Sequence, residues 1–306
     1  MSELHDHVDD YLRLRRALGF KLEREERLLG QLVDYLQTAG AATVKSEPAI
    51  SWARLPAGAQ PNHWAKRLGV ARKFAAYLQT IDPAVEIPPA GVFPTRRNRP
   101  TPYLWSPEEI RRLLDGARAL RSPLRAATHE ALFGLLAVSG MRIGEALALQ
   151  RDGVDLDAGV ITIGEAKFDR PRLVPLHPTA TKALRRYAAE RDRLCPKPSS
   201  GAFFISTTGS ALGKREVGRT FVKITTQTGV RTDAARPRIH DLRHSFAVST
   251  LIGWLRSGIQ IDEHIATLSS YLGHLGPAGT YWYLSASPEL MALAAERLDA
   301  RFGGRS

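Results

Sequence analysis

Apolar positions recur at helical spacing through most of this 306-residue chain. Residues 4–38 predict two helices separated at Gly19. Shorter apolar faces predict a short helix near 50–55 and a longer one over 63–78. These segments together predict a small helical bundle at the N-terminus.

A stretch rich in proline interrupts this pattern at 87–102 and is also basic, with Arg96, Arg97 and Arg99. Prolines and a glycine deny it regular structure, so we interpret it as a linker between two domains. The predicted organisation is a helical domain, a linker and a second domain, at 1–86, 87–102 and 103–306.

The second domain begins with a helix start, in which Ser106 is an N-cap and Glu109 completes a capping box. Further helical faces follow at 126–139, 142–149, 179–194, 214–226, 240–256, 263–272 and 288–302. Alternating or β-branched runs at 154–156, 160–163 and 172–176 predict a small antiparallel sheet. The expected fold class is therefore mainly α with a small antiparallel β-sheet, the second domain being α+β.

The formal charge of +12 and the pI near 10.1 indicate a polyanionic partner, DNA or RNA first. Most of the excess positive charge lies in the linker and the second domain. The single cysteine, Cys195, excludes a disulfide within the chain and a cysteine-based zinc site. No apolar run has the length of a membrane span, and the N-terminus is too polar for a signal peptide. We therefore expect a cytoplasmic protein with no membrane partner.

Two basic residues stand where a phosphate could bind. Arg142 opens a helix just after Gly140, so a guanidinium and a positive helix end converge there. Glu145, three positions on, lies on the same face and can hold the arginine, although an ordinary surface pair has the same spacing. Lys167 lies at the tip of the predicted hairpin, where it can donate a proton or remain solvated.

The remaining candidates lie towards the C-terminus. His240 and Arg243 share one helix face, where an imidazole and a guanidinium can meet a phosphoryl oxygen; a metal site is the weaker alternative there. His274 follows a Leu-Gly pair, and Tyr283 comes nine positions later. Tyr281 is a competing nucleophile, but residues two apart on a helix point in different directions, and the spacing favours Tyr283.

These blocks in this order resemble the tyrosine recombinases, the phage-integrase and Xer-like family, over 105–283. The matching motifs are a G-x-R-x-x-E helix start, a hairpin lysine before R-x-V-P-L, an H-x-x-R pair, and an L-G-H histidine nine positions before a tyrosine. The resemblance implies an active site formed by Arg142, Lys167, His240, Arg243, His274 and Tyr283, with Glu145 in support. It also implies that the N-terminal bundle is a core-binding domain that clamps DNA.

The resemblance further implies site-specific recombination of double-stranded DNA through a 3′-phosphotyrosyl intermediate, without a metal or other cofactor. It implies a homo-tetramer, or a hetero-tetramer with related recombinases, acting on paired sites in the nucleoid. The helix at 288–302 could dock on a neighbouring protomer or on its own domain. Candidate DNA contacts are cations of the longer bundle helix and the linker, namely Lys66, Arg67, Arg72, Lys73, Arg96, Arg97 and Arg99, although solvated surface cations look the same in a sequence.

Two other functions fit the same residues. A relaxing enzyme of the type IB topoisomerase kind shares the chemistry but acts as a monomer without pairing sites. A non-catalytic accessory protein could keep the fold and bind DNA only. The complete set of reactive side chains argues against the accessory protein, since binding alone needs neither Tyr283 nor Lys167.

Overall fold

The computed structural model describes residues 3–94, 101–164, 172–274, 276, 278–285 and 288–302. The chain divides into two compact units, Met1–Arg99 and Pro100–Ser306. Four of the candidate residues lie outside the described residues: Arg96, Arg97, Arg99 and Lys167.

The N-terminal unit is a bundle of four helices: α1 (Glu3–Ala17), α2 (Glu23–Thr38), α3 (Ser46–Arg54) and α4 (Pro61–Leu78). Each helix turns an apolar face inward, and Trp52 and Phe74 at the centre have no exposed surface. The chain reverses after α1 at Gly19, whose φ of 83° lies in the region that only glycine adopts without strain.

One cation of α4 points into this bundle. Arg67 is 6% exposed, its guanidinium lies 4.0 Å from the centroid of the Trp52 ring, and Nη2 donates to the Trp52 carbonyl at 3.1 Å. Burial lowers the pKa of Arg67, and the nearby Arg24 acts in the same direction. Its polar and aromatic contacts therefore hold α3 to α4, which differs from the expected surface role. Lys66 and Lys73 are exposed.

The C-terminal unit begins with α5 (Pro107–Arg118), α6 (Pro123–Ser139) and α7 (Ile143–Ala148). The expected capping box is present at the start of α5: Ser106 Oγ accepts from the Glu109 amide at 3.2 Å and Glu109 accepts in return from Ser106 at 2.8 Å. α6 ends at Gly140, which has a φ of 61°. That turn places Arg142 as the residue capping α7.

The sheet has three antiparallel strands in the order β1 (Val154–Asp155), β2 (Val160–Ile163) and β3 (Arg172–Pro175). Ile161 pairs with Val174, and both are fully buried against the helices. This confirms the expected fold class, a mainly helical chain with one small antiparallel sheet.

The chain then returns to helices: α8 (Pro178–Leu194), α9 (Lys214–Gln227), α10 (Ile239–Arg256), α11 (Ile261–Leu272), α12 (Ala278–Tyr281), a 3₁₀ turn (Trp282–Ser285) and α13 (Pro288–Phe302). A separate apolar cluster joins α10, α11, the 3₁₀ turn and α13, with Leu251, Leu268, Tyr283 and Leu290 at its centre. Among the described residues, no helix is both long and apolar enough to cross a bilayer.

A buried histidine couples the stability of this unit to pH. His129 in α6 has no exposed surface, and its Nδ1 lies 2.8 Å from the Arg125 carbonyl oxygen, so Nδ1 carries the proton. Its Nε2 has no hydrogen-bond partner among the described residues. Burial lowers the pKa of His129 and outweighs the opposing effect of the Arg125 carbonyl. The folded protein therefore holds this ring neutral.

We predict that stability falls as the pH drops through the unfolded histidine pKa of about 6.5, since the unfolded state then binds more protons. His129→Leu should lose part of this dependence. The measurement is the urea midpoint at about pH 7.5 and about pH 5.5. The control is His177→Asn, which removes an exposed histidine but keeps a side-chain cap for α8. The prediction would be contradicted if the urea midpoint of His129→Leu changed between the two pH values by as much as that of the wild type.

Candidate active site

Three helix ends meet around one guanidinium. Arg243, in the first turns of α10, is 2% exposed. Its Nη1 donates to the Gly140 carbonyl at 2.8 Å, where α6 ends, and its Nη2 donates to the Leu272 carbonyl at 2.7 Å, where α11 ends. Carbonyl ends of helices carry partial negative charge, so both contacts are favourable for a buried cation.

Arg243 also lies beside two further candidate residues. Its Nη2 lies 2.8 Å from His274 Nε2, and Tyr283 lies close enough to influence the guanidinium electrostatically. Burial lowers the pKa of Arg243, and Tyr283 acts in the opposite direction. The guanidinium therefore joins the motif at the start of α10 to both parts of the C-terminal motif.

Arg142 lies beside this group and has the acid that its spacing predicts. Its Nη1 donates to Glu145 Oε1 at 2.7 Å, its backbone amide donates to Oε2 at 2.8 Å, and its Nη2 donates to the Gly273 carbonyl at 2.6 Å. The side chain of Arg142 is 37% exposed, whereas that of Glu145 is 7% exposed. The carboxylate is thus buried and the guanidinium reaches the surface.

A second arginine holds the same carboxylate. Arg172, the first residue of β3, donates from Nη2 to Glu145 Oε2 at 2.8 Å. Burial by itself raises the pKa of Glu145, but hydrogen bonds from Arg172 and Arg142 outweigh it and lower this pKa below its ordinary value. Glu145 therefore stays ionised between two cations.

The tautomer of His274 follows from its two partners. Because Arg243 can only donate, Nε2 of His274 is the acceptor and Nδ1 carries the proton. That Nδ1 donates to Thr280 Oγ1 at 2.7 Å, and Thr280 has no exposed surface. Burial and then Arg243 lower the pKa of His274 to about 4, so the ring is neutral at pH 7.

Two histidines of α10, His240 and His244, also lie close to Arg243. The rings of His240 and His244 meet edge to face with centroids 4.6 Å apart. Burial and then Arg243 lower the pKa of His240, and burial and then His240 lower that of His244 to about 4. Within the described chain, Nδ1 of His244 is buried without a hydrogen-bond partner. The site therefore combines permanent guanidinium charges with neutral imidazoles.

The two candidate tyrosines lie in different environments. Tyr283 is 2% exposed, with its ring centroid 6.1 Å from that of His274 and 5.5 Å from that of His244. Tyr281 is 44% exposed. The chain changes from α12 to a 3₁₀ turn between them, so their side chains diverge. Tyr283 is the one that lies among the cations and imidazoles.

The structure brings together all the described members of the expected set: Arg142, Glu145, His240, Arg243, His274 and Tyr283. Three further residues contact them and were not among the candidates predicted from the sequence: Arg172, His244 and Thr280. Arg172 served only to locate the hairpin lysine, and His244 only extends the H-x-x-R motif by one residue. No local signal marks Thr280, because its role depends on where His274 folds back.

Comparison with known proteins agrees with this geometry. Residues 105–289 match the model of the phage integrase family. A protein of Sinorhizobium fredii named as a putative integrase/recombinase is 42% identical over 314 aligned residues, 100% of each chain. The tyrosine recombinase XerC of Azotobacter vinelandii is 30% identical over 237 residues, 78% of this chain and 74% of that protein.

Solved structures show the same fold at low identity. The XerH site-specific recombinase bound to palindromic difH substrate, in a post-cleavage complex, has a TM-score of 0.66 and 18% identity over 88% of this chain and 77% of that one. The Tn1549 transposon integrase in complex with transposon right end DNA has a TM-score of 0.71 and 16% identity over 99% of this chain and 100% of that one. Motif order, site geometry and family match thus agree: the chain belongs to the phage integrase family of tyrosine recombinases.

Proposed function

We propose that this protein is a site-specific recombinase that cuts and rejoins double-stranded DNA through a 3′-phosphotyrosyl bond to Tyr283. The observation that carries the proposal is the position of Tyr283, which is 2% exposed, with its ring 6.1 Å from that of His274, whose Nε2 is bonded to the buried Arg243. A tyrosine in a purely structural role has no need of a buried cation and two neutral histidines around it.

The reaction exchanges one phosphoester for another. A bond forms between the Tyr283 oxygen and phosphorus, and the bond from phosphorus to the 5′ oxygen breaks. Arg142 and Arg243 stabilise charge on the non-bridging oxygens. Lys167 gives a proton to the leaving 5′ oxygen, and His240 or His274 receives the phenol proton or positions the phosphate. Attack by the 5′ hydroxyl of another strand reverses the step, so neither a nucleotide nor a metal ion is needed.

The two other functions are not favoured. The family match and the full-length similarity to an integrase/recombinase weigh against a topoisomerase-like relaxer. An accessory protein that only binds DNA gains nothing from the arrangement around Tyr283.

The proposed DNA contacts come from both units. In the N-terminal clamp, Lys66 and Lys73 of α4 are exposed and seven residues apart, so they lie on one helix face. Arg72 is half-buried and its Nε donates to the Pro88 carbonyl at 2.7 Å, while the linker arginines Arg96, Arg97 and Arg99 remain candidate contacts. The buried Arg67 is left out of this surface. We propose that the protein, as one that acts on DNA, is associated with the nucleoid.

A second cationic row lies on α9 of the C-terminal unit. Arg215, Arg219 and Lys223 repeat every four residues and are exposed, while Val217 and Phe221 face the core. A stripe of this kind follows one side of a helix and suits a nucleic-acid backbone or groove. We include it in the proposed DNA surface.

Recombination between two sites requires several protomers, and we propose a tetramer, formed by this chain alone or with related recombinases. Supporting this, α13 combines a face held in its own unit with an exposed apolar residue. Leu290 is 1% exposed and Glu289 Oε1 lies 2.6 Å from Arg256 Nη2, whereas Met291 is 56% exposed. Met291 is therefore available to a neighbouring protomer.

The nucleophile is tested by trapping the covalent adduct. Wild-type protein, Tyr283→Phe and Tyr281→Phe are incubated with a nicked suicide substrate in EDTA and resolved on a denaturing gel. We expect an adduct with the wild type and Tyr281→Phe and none with Tyr283→Phe, because only the buried phenol reaches the phosphorus. Loss with Tyr281→Phe alone would reassign the nucleophile. No adduct at all on a verified binding site would support the accessory protein.

The orientation of His274 is tested at Thr280. Thr280→Val keeps the side-chain shape but leaves the Nδ1 proton of His274 unpaired, which costs roughly 1–3 kcal/mol. Because this cost raises the free energy of the conformation in which His274 is correctly oriented, we expect adduct formation to slow by roughly tenfold to a hundredfold. Thr280→Ser retains the hydroxyl and should stay close to the wild-type rate in single-turnover assays. Equal rates for the two variants would show that this hydrogen bond does not matter.

The role of α13 is tested with Met291→Asp, which alters only an exposed position. We expect binding of one protomer to a half-site to be unchanged in gel-shift titrations. Assembly of paired-site complexes should be weakened by roughly tenfold, since a buried interfacial charge without a partner is costly. The control is Glu296→Gln, elsewhere on α13. Unchanged assembly by Met291→Asp would show that this face of α13 is not an interface.

A further inference from the structure

Arg172 connects three parts of the candidate site. Its Nη2 donates to Glu145 at 2.8 Å, and its Nε donates to the Tyr271 carbonyl at 3.2 Å near the end of α11. Its side chain is 13% exposed. It begins β3, the strand that follows the predicted hairpin tip with Lys167. We propose that Arg172 is a positioning residue for the transesterification, one that holds Arg142 and His274 in their reactive places. This inference rests on the proposed function.

Arg172 determines the net charge around Glu145. Glu145 is buried and accepts from Arg142 through both of its oxygens. If Arg142 were its only cationic partner, the pair would carry no net charge and would attract a phosphate weakly. Arg172 adds a second positive charge to the same carboxylate, so the trio is net positive. Arg142, the more exposed of the two arginines, is then available to stabilise charge on the phosphate.

Arg172 also packs against the end of α11. Gly273 has a φ of 67°, and its carbonyl accepts from Arg142. A Cβ added to Gly273 would lie 2.5 Å from Nη1 and 2.8 Å from Cζ of Arg172. The glycine is therefore needed for its backbone angle and for the guanidinium packed against it. Arg142 and Arg172 together fix the backbone from which His274 projects.

Arg172 does not touch the reacting atoms in this arrangement. It acts through Glu145 on Arg142, and through Tyr271 and Gly273 on His274. A lysine cannot replace it fully, because a single ammonium lacks the planar fork that reaches the carboxylate and the carbonyl together. A purely structural ion pair, by contrast, would affect stability without favouring any step of the reaction.

The test compares Arg172→Met, which keeps the length of the side chain and removes its charge, with the wild type. Half-site DNA affinity is measured by gel shift, and the single-turnover rate of adduct formation is measured on a nicked substrate. A second substrate carries a methylphosphonate at the scissile position, which removes one charged oxygen. We expect affinity within about threefold of wild type and adduct formation slowed about a hundredfold on the ordinary phosphate. On the methylphosphonate substrate, Arg172→Met should slow adduct formation by less than about tenfold, because this group carries less negative charge for Arg142 to stabilise.

Arg185→Met is the matched control. Arg185 also donates to a carbonyl and a carboxylate, those of Leu156 at 2.7 Å and Asp157 at 3.0 Å, but its side chain is 58% exposed. Arg185→Met should leave the rate of adduct formation unchanged on both substrates. Arg172→Lys should be intermediate on the ordinary phosphate, and it keeps the proposal testable if Arg172→Met does not fold. In a Glu145→Gln background, Arg172→Met should slow the reaction little further, since the two act through one contact.

The outcomes separate this inference from the proposed function. If wild-type protein forms no adduct, the proposed function fails and this inference fails with it. If the wild type forms the adduct and Arg172→Met is equally fast, only the positioning role is overturned. Equal slowing on both substrates, or a parallel loss of DNA affinity, would also overturn it, because either result is what a structural role predicts.

Discussion

The buried guanidinium of Arg243 is the interaction on which the site depends. A cation without exposed surface is costly unless its donors are paired, and here the carbonyl ends of α6 and α11 supply the acceptors. The two carbonyls belong to Gly140 and Leu272, which lie two residues before Arg142 and His274 respectively. Because the guanidinium is planar and rigid, satisfying it also fixes the spacing between the two motifs. The same interaction thus serves folding and the geometry of the site.

The charges around the site favour an anionic ligand. Arg142 and Arg172 both bond to one buried carboxylate, Glu145, and Arg243 lies near enough to interact with it electrostatically, so the described cluster carries an excess of positive charge. Asp241 does not balance it, since this buried acid caps α10 and pairs with Arg238 at 2.8 Å. Burial and these cations keep the histidines neutral. This excess of positive charge suits the phosphodiester on which the proposed reaction acts, because an anion there would offset the repulsion among the arginines.

The features of the fold that the sequence predicted best are those set by residues close together in the chain. The capping box at Ser106 and the alternation that forms the sheet each act over a few residues, and each occurs as expected. Helix starts were less exact. α6 begins at Pro123, not at 126, because the Ser122 cap and the proline after it extend the helix. α3 likewise begins at Ser46, earlier than its apolar face indicates.

By itself, the sequence determined the family motifs, their order and the candidate side chains that they contain, because motifs fix residue type at fixed spacing along the chain. Only the tertiary structure decided which atoms meet. Arg67 has the spacing of a surface cation, yet Trp52 of another helix places it inside the bundle. Thr280 belongs to no motif, and Arg172 entered only as the marker that locates the hairpin lysine; their contacts exist because His274 and Glu145 fold against them. Such contacts join residues distant in sequence, and their energies depend on burial and direction, which periodicity does not encode.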